Sequence, residues 1–416
     1  MITIKSYKAG KGDAFLISFG ENKEHNIMID MGISSTYNEI KPDLELLKNN
    51  GKKLDLLVVT HMHDDHIDGV IDFINDNGLN KNIIEIDEIW HNSYRHLQFK
   101  DDVKKDKNTD KHTIRILDSI IKNGSLSARK NAEYNIHGVH GSTLAGSLLG
   151  FNYIPNWNTQ FQGKAVKVDS NIPKWVGDEI KIILLSPDDV KLDELSDEWY
   201  SKLKIERRNI QLSGEAIFDD ALEFYMRNES IYESSDESIS ATTGSDLDLE
   251  ELYKSNDNKK DKSNGNGASI AFIIEYNENK LLFLGDAHRD IIIKNLKKLK
   301  EHNYKLDFDL VKVSHHGSNN NISKELLALI QSKRFLISTD GQKHGRAQHP
   351  NKEAIAKIIM SKKEFHKEII FNYDLNIVSD LEKFTNAYNY SLSLSFISED
   401  KQDKNRNVTY IEEIVI

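Results

Sequence analysis

The sequence predicts an α/β fold in which strands alternate with helices and deliver a polar site at the strand ends. Three observations predict it. Short apolar runs of strand length, such as Ala14-Phe15-Leu16-Ile17-Ser18-Phe19 and Lys280-Leu281-Leu282-Phe283-Leu284, recur along the chain between helix-length stretches. Several of these runs lead straight into turns bearing His or Asp. The densest such turn, Thr60-His61-Met62-His63-Asp64-Asp65-His66-Ile67-Asp68-Gly69, follows the apolar run Leu56-Leu57-Val58-Val59. Sheets with helices on their faces place their sites at such strand ends.

The 416 residues allow one large domain with insertions, 1–416, or two domains. The net charge of −11, from 55 basic and 66 acidic residues, argues against a general polyanion-coating surface but not against a local basic groove. The chain has no Cys, which excludes disulfides, thiolate ligands and Cys nucleophiles. Any metal must be held by nitrogen and oxygen. No apolar run approaches the roughly 20 residues of a spanning helix, and the opening residues lack a signal-peptide core, so a soluble cytoplasmic protein is expected.

Taken in order, residues 2–7, 14–19 and 26–30 alternate or run apolar and are expected as strands, the second preceded by the turn Gly10-Lys11-Gly12-Asp13. A helix over 37–49 leads to the strand before the His-rich turn, and a second helix over 67–77 follows it. Residues 84–90 alternate as a strand. Residues 98–112 are dense in Lys and Asp and suit a solvated loop, followed by a helix over 113–122. The region 98–180 is expected as an insertion, with a short helix of small residues at 141–150 and a strand over 164–168. A strand over 179–185 and a charged helix over 188–205 come next. Residues 228–267 are polar with almost no large apolar side chain, so they are expected as a flexible insertion. Residues 269–276 and 280–284 suit a hairpin, followed by a basic helix reaching 300. Strands over 310–313 and 335–338, a helix over 352–360 and late strands over 391–397 and 408–416 complete the chain.

Five strand ends carry polar candidates: Asp30, His61 to His66, Asp286, His315/His316 and His344/His349. One buried His or Asp is usually a structural hydrogen-bonding group. Five strand ends of one design are better explained by a metal cluster at a sheet edge. Imidazole and carboxylate are the usual ligands of Zn²⁺ and related ions, and His61 and His63, two apart on extended backbone, face one side. Asp65 and His66 can face a second ion. Asp286 is the natural bridge between two ions, and Asp65 can also orient the water. Ions so held acidify water and polarise an attacked centre, so metal-assisted hydrolysis of an ester, amide or phosphoester is the expected reaction class, with metal-activated hydroxide as nucleophile.

The motif His61-x-His63-x-Asp65-His66 with Gly69 resembles the signature of the metallo-β-lactamase superfamily. Gly12-Asp13, Asp30-x-Gly32, Gly285-Asp286 and Ser314-His315-His316-Gly317-Ser318 occur in the order that superfamily uses. The pattern is most similar to the branch containing the hydrolase domain of the bacterial competence DNA-uptake protein, over about 1–90 and 268–360. The resemblance implies an αββα four-layer sandwich with one or two Zn²⁺ ions, or Mn²⁺, at the shared edge of two sheets. It implies His61 and His63 on the first ion and Asp65 and His66 on the second. Asp286 would bridge and His315, with His316 as the alternative, would complete the second site. His349 would be a substrate-facing or acid group, and Asp13 and Asp30 would orient histidines. One departure stands out. Where the superfamily often supplies a further His, this chain has Asn266-x-x-Ser269, leaving the first ion short of a ligand unless His137 or His140 substitutes.

The leading expectation is a phosphodiesterase or nuclease acting on nucleic acid or a nucleotide, with Arg289 and Lys294 to Lys300 as candidate phosphate contacts. Two others are kept: a hydrolase of a small carboxyl ester, lactone or thioester, and a partner-controlled effector or scaffold docking through its insertions.

Overall fold

The computed structural model describes residues 1–97, 109–128, 142–169, 172–206, 213–232, 248–255, 257–344, 347–388, 392–397 and 408–416. Two sheets pack face to face. The first has six strands in the order Ile414–Val415, Ile2–Ser6, Ala14–Phe19, His25–Met31, Leu56–Val58, Ile89–Trp90. The second has nine, in the order Thr409–Ile411, Leu392–Ile397, Lys367–Phe371, Arg334–Ile337, Leu310–Lys312, Asn279–Phe283, Ala271–Tyr276, Ile180–Ser186, Lys174–Val176.

Burial explains the layering. Strand residues of alternate parity point to opposite faces. Ile2, Ile4, Phe15, Ile17, Ile27 and Ile29 meet Phe272, Ile274, Leu281, Phe283 and Leu336 in a core between the sheets. The opposite parity, Leu16, Met28, Leu57 and Val59, packs outward under the helices Ser34–Asn49 and Asp64–Asn77. On the far side Ile273, Leu282, Val311 and Phe335 lie under Arg289–Glu301 and Lys352–Met360. Both sheets are covered on both faces, which gives the expected αββα order.

The middle of the chain joins the first outer layer. Leu144–Gly150 and Ala216–Tyr232 supply Leu144, Leu148, Phe218, Leu222 and Met226 to the same core as the Asp64–Asn77 helix. Buried polar groups fix this packing. Glu223 accepts from the backbone N–H groups of Leu144 and Ala145 and pairs with His91 Nε2 at 2.9 Å. Arg227 Nε lies 2.7 Å from Asp68 Oδ1 on the helix after the His-rich turn.

Several local expectations are corrected. The helix after the turn begins at Asp64, so Asp65 and His66 occupy its first turn. Of residues 84–90 only Ile89–Trp90 is strand. Residues 164–168 form none; Val166 N–H donates to Asn92 Oδ1 and Val168 N–H to the Pro187 carbonyl, with no strand ladder. Thr409–Ile411 and Ile414–Val415 belong to different sheets, so the chain end clasps both. Lys174–Val176, Lys367–Phe371 and the helices Ala216–Tyr232 and Asn376–Tyr388 were not expected. Of the stretch expected as flexible, residues 233–247 and 256 lie outside the described residues, as do His137 and His140. Residues 248–255 and 257–267 are folded: Leu249 enters the outer core of the second sheet, and Asp257 is ion-paired with the buried Lys357. Buried polar contacts hold this stretch where apolar burial is scarce. Among the described residues no helix is long and apolar enough to cross a membrane.

Candidate metal centre

Thr60 ends the strand Leu56–Val58 with its backbone N–H and hydroxyl both donating to Asp30, at 2.7 Å each. Asp30 sits at a positive φ of 52° in the neighbouring strand, which turns its carboxylate toward the sheet edge. Its Oδ2 also meets His66 Nδ1 at 2.8 Å. That contact places the Nδ1 proton on the carboxylate side and leaves the Nε2 lone pair facing inward. Gly69 lets the helix approach this closely, since a Cβ there would lie 2.1 Å from the carbonyl oxygen of Met31.

On the second sheet, Ser269 Oγ accepts from the backbone N–H of Asp286 at 3.1 Å. The adjacent strand ends in His315 and His316, at φ of 46° and 55°. Two consecutive non-glycine residues in the left-handed region carry roughly 1–2 kcal/mol of strain each. The result is that their rings diverge. His316 Nδ1 lies 2.9 Å from the Ser338 carbonyl, and its Nε2 reaches Asp286 Oδ2 at 3.4 Å and Asp65 Oδ2 at 3.7 Å. His315 instead turns Nδ1 to Asp261 Oδ2 at 3.1 Å, with Nε2 3.9 Å from Asp286 Oδ2.

Among the described residues four groups of ligand-type atoms therefore converge: His61–His66–Asp286, Asp65–His66–His316, Asp13–Asp286–His316 and Asp13–Asp30–His66, each within 4.8 Å and buried. His63 and His315 enter none of these groups among the described residues. The His63 ring centroid lies 4.6 Å from that of His61, and the backbone at Gly265 closes over it, a Cβ there falling 2.7 Å from His63 Nε2. His349 packs its ring 5.0 Å from that of His315. His344 is exposed, bonded to Asp340 and away from these groups.

The charge balance suits a cation. Asp13, Asp30, Asp65 and Asp286 are all buried. Buried carboxylates need compensation. Burial alone raises the Asp286 carboxyl, but the imidazoles of His316, His66 and His315 outweigh it and hold it well below the usual range. Burial lowers His66, yet Asp286, Asp30 and Asp65 together hold it well above an ordinary histidine. His61 is pushed far down, first by burial and then by His66 and His63, so it is the neutral imidazole a metal requires. His349 is likewise pushed down, first by burial and then by His315 and His316. The Nε2 atoms of His61, His66 and His316 and Oδ1 of Asp286 are buried with no hydrogen-bond partner among the described residues. Orphaned imidazole nitrogens converging on carboxylates fit a divalent ion with N and O ligands.

Two residues here escaped sequence reasoning. Lys312 is fully buried, ion-paired with Asp13, 3.2 Å from the Gly285 carbonyl and 3.9 Å from Asp286 Oδ1. Its signal was a lysine inside Leu310-Val311-Lys312-Val313. Asp261 accepts from Asn266 Nδ2 at 3.0 Å and Asn321 Nδ2 at 2.9 Å as well as facing His315. It lay in a polar stretch with no periodicity to mark it. Of the candidate phosphate contacts, Lys294 pairs with Asp188 and Lys297 with Glu325.

None of the curated proteins compared matches the chain. Residues 7–143, which contain the His61 to His66 turn, match the family model of the metallo-beta-lactamase superfamily, and the two covered sheets give the chain the fold of a metallo-β-lactamase domain.

Proposed function

We propose that the protein is a metal-dependent phosphodiesterase or nuclease. The observation that carries the hydrolytic part is the convergence of His61, His66, His316, Asp65 and Asp286 at the edge shared by the two sheets, with their inward nitrogens orphaned. His61, His63, His66, His316, Asp65 and Asp286 would hold one or two Zn²⁺ or Mn²⁺ ions. Such ions would supply Lewis acidity toward water and the phosphoryl group.

The chain's own groups do the positioning. Asp30 and the Ser338 carbonyl fix the tautomers of His66 and His316. Lys312 holds Asp13 and Asp286 at the rear of the site. His315, partly exposed and oriented by Asp261 with His349 beside it, would face the substrate. The preference for a phosphodiester is supported by the sequence resemblance to the competence-type branch and by cationic side chains around Asp261.

The test is metal analysis of the purified chain with turnover of bis-p-nitrophenyl phosphate, oligonucleotides and p-nitrophenyl esters, in wild type and Asp65→Ala. Metal-dependent phosphodiester turnover lost in the variant is expected. Turnover of carboxyl esters alone would remove the phosphodiesterase reading.

A further inference from the structure

A cavity of about 240 Å³ opens beside the centre, lined by Lys191, Lys260, Lys262, His288 and Arg289 together with Glu194, Asp261 and Asp290. Asp261 and then His315, whose Nε2 lies 3.9 Å from Asp286 Oδ2, separate it from the converging ligand groups. Asp261 Oδ2 meets His315 Nδ1, and Asp261 Oδ1 lies 3.7 Å from His288 Nε2 on the cavity side.

The acidic groups of the lining are already engaged. Glu194 and Asp290 both face Lys191, at 3.1 and 3.5 Å. Asp261 is shared among His315, Asn266 and Asn321. The cationic groups are not all used. Arg289 is 5 % exposed; its Nη2 donates to the carbonyls of Asp257 and Lys259, while Nη1 is buried with no hydrogen-bond partner among the described residues. His288 is 7 % exposed. Lys191 Nζ lies 3.2 Å from its Nδ1, and an ammonium can only donate, so the ring proton sits on Nε2. That N–H faces Asp261 Oδ1, 3.7 Å away. Lys260 and Lys262 are exposed on the rim. The helix Arg289–Glu301 starts here without a side-chain cap at His288, adding the positive end of its dipole.

One buried guanidinium N–H without a partner among the described residues, two exposed lysines on the rim and a helix N-terminus, whose first turn carries Asp290 already facing Lys191, surround one cavity and describe an anion receptor. We propose that this cavity is a phosphate subsite, holding a phosphate of the substrate next to the one attacked at the His66–Asp286 centre. This rests on the phosphodiester reading above and narrows it to substrates bearing a second phosphate, such as a nucleic-acid strand or a 5′-phosphorylated dinucleotide.

The experiment is calorimetric titration of inorganic phosphate into the full chain, with and without added Zn²⁺, for wild type and Lys260→Ala/Lys262→Ala. The two lysines are exposed, so the variant keeps its fold; Arg289→Gln is the second variant, with its melting temperature recorded. Phosphate binding independent of Zn²⁺ and weakened about tenfold in the double variant is expected. Equal affinity in wild type and double variant, or no binding in wild type, overturns the subsite. In parallel, a dinucleotide with and without a 5′-phosphate is offered as substrate. A wild-type preference for the phosphorylated form that disappears in the variant supports the subsite. Phosphate binding lost in the variant with neither dinucleotide hydrolysed leaves the subsite standing and removes the hydrolytic reading. Hydrolysis of both dinucleotides with unaltered phosphate binding does the reverse.

Discussion

His66 Nδ1 lies 2.8 Å from Asp30 Oδ2, and the same carboxylate accepts both the N–H and the hydroxyl of Thr60. One buried aspartate thus fixes the ring of His66 and the end of the strand that launches the His-rich turn. Asp30→Asn removes the charge that favours the Nδ1 proton. A loss of roughly 10–100-fold in metal affinity is expected, measured by competition with a chromophoric chelator, with the fold retained by circular dichroism. Unchanged affinity would show that Asp30 only braces the strand.

His316 and His315 separate by geometry. His316→Ala should lower the bound metal per chain in elemental analysis, because its Nε2 faces both Asp65 and Asp286. His315→Ala should retain the metal and lower turnover instead. The opposite pattern would reverse the assignment of the two neighbours.

Lys312 is the fixed cation behind the centre. Removing one partner of a buried ion pair leaves an uncompensated charge and typically costs about 3–5 kcal/mol. Lys312→Met in metal-free protein should therefore lower stability to urea by that order, and adding Asp13→Asn should recover part of it. A double variant no more stable than the single one would show that Asp13 is compensated elsewhere.

Asp220 gives a pH dependence away from the candidate metal centre. Burial, with Glu223 and Asp219 nearby, pushes its carboxyl up to about 7 against the Thr143 hydroxyl bond. The folded state then binds the proton more tightly than the unfolded chain. Its contribution is fully present below about pH 4 and lost as pH rises through 7. Asp220→Asn should raise the melting temperature at pH 8 and flatten its fall between pH 5 and 8. Parallel melting curves for wild type and variant would count against the shift.

Much of the centre was legible in the order of residues along the chain. An apolar strand ending in His-x-His-x-Asp-His, with Gly-Asp and His-His-Gly after later strands, fixed the ligand chemistry because strand ends are local and period two is strict. The two helix-covered sheets were implied by the resemblance that this motif order carries. Only the three-dimensional structure shows that both His315 and His316 approach Asp286 while turning their Nδ1 atoms apart, to Asp261 and to the Ser338 carbonyl, from two left-handed residues in a row. It also decided the surroundings of Lys312 and Asp261. Lys312 is held by Asp13, 299 positions away, and Asp261 by His315 and Asn321 as well as the nearby Asn266. Such contacts leave no periodic trace in a sequence, because a buried charge is set by the partners brought to it and not by its neighbours along the chain.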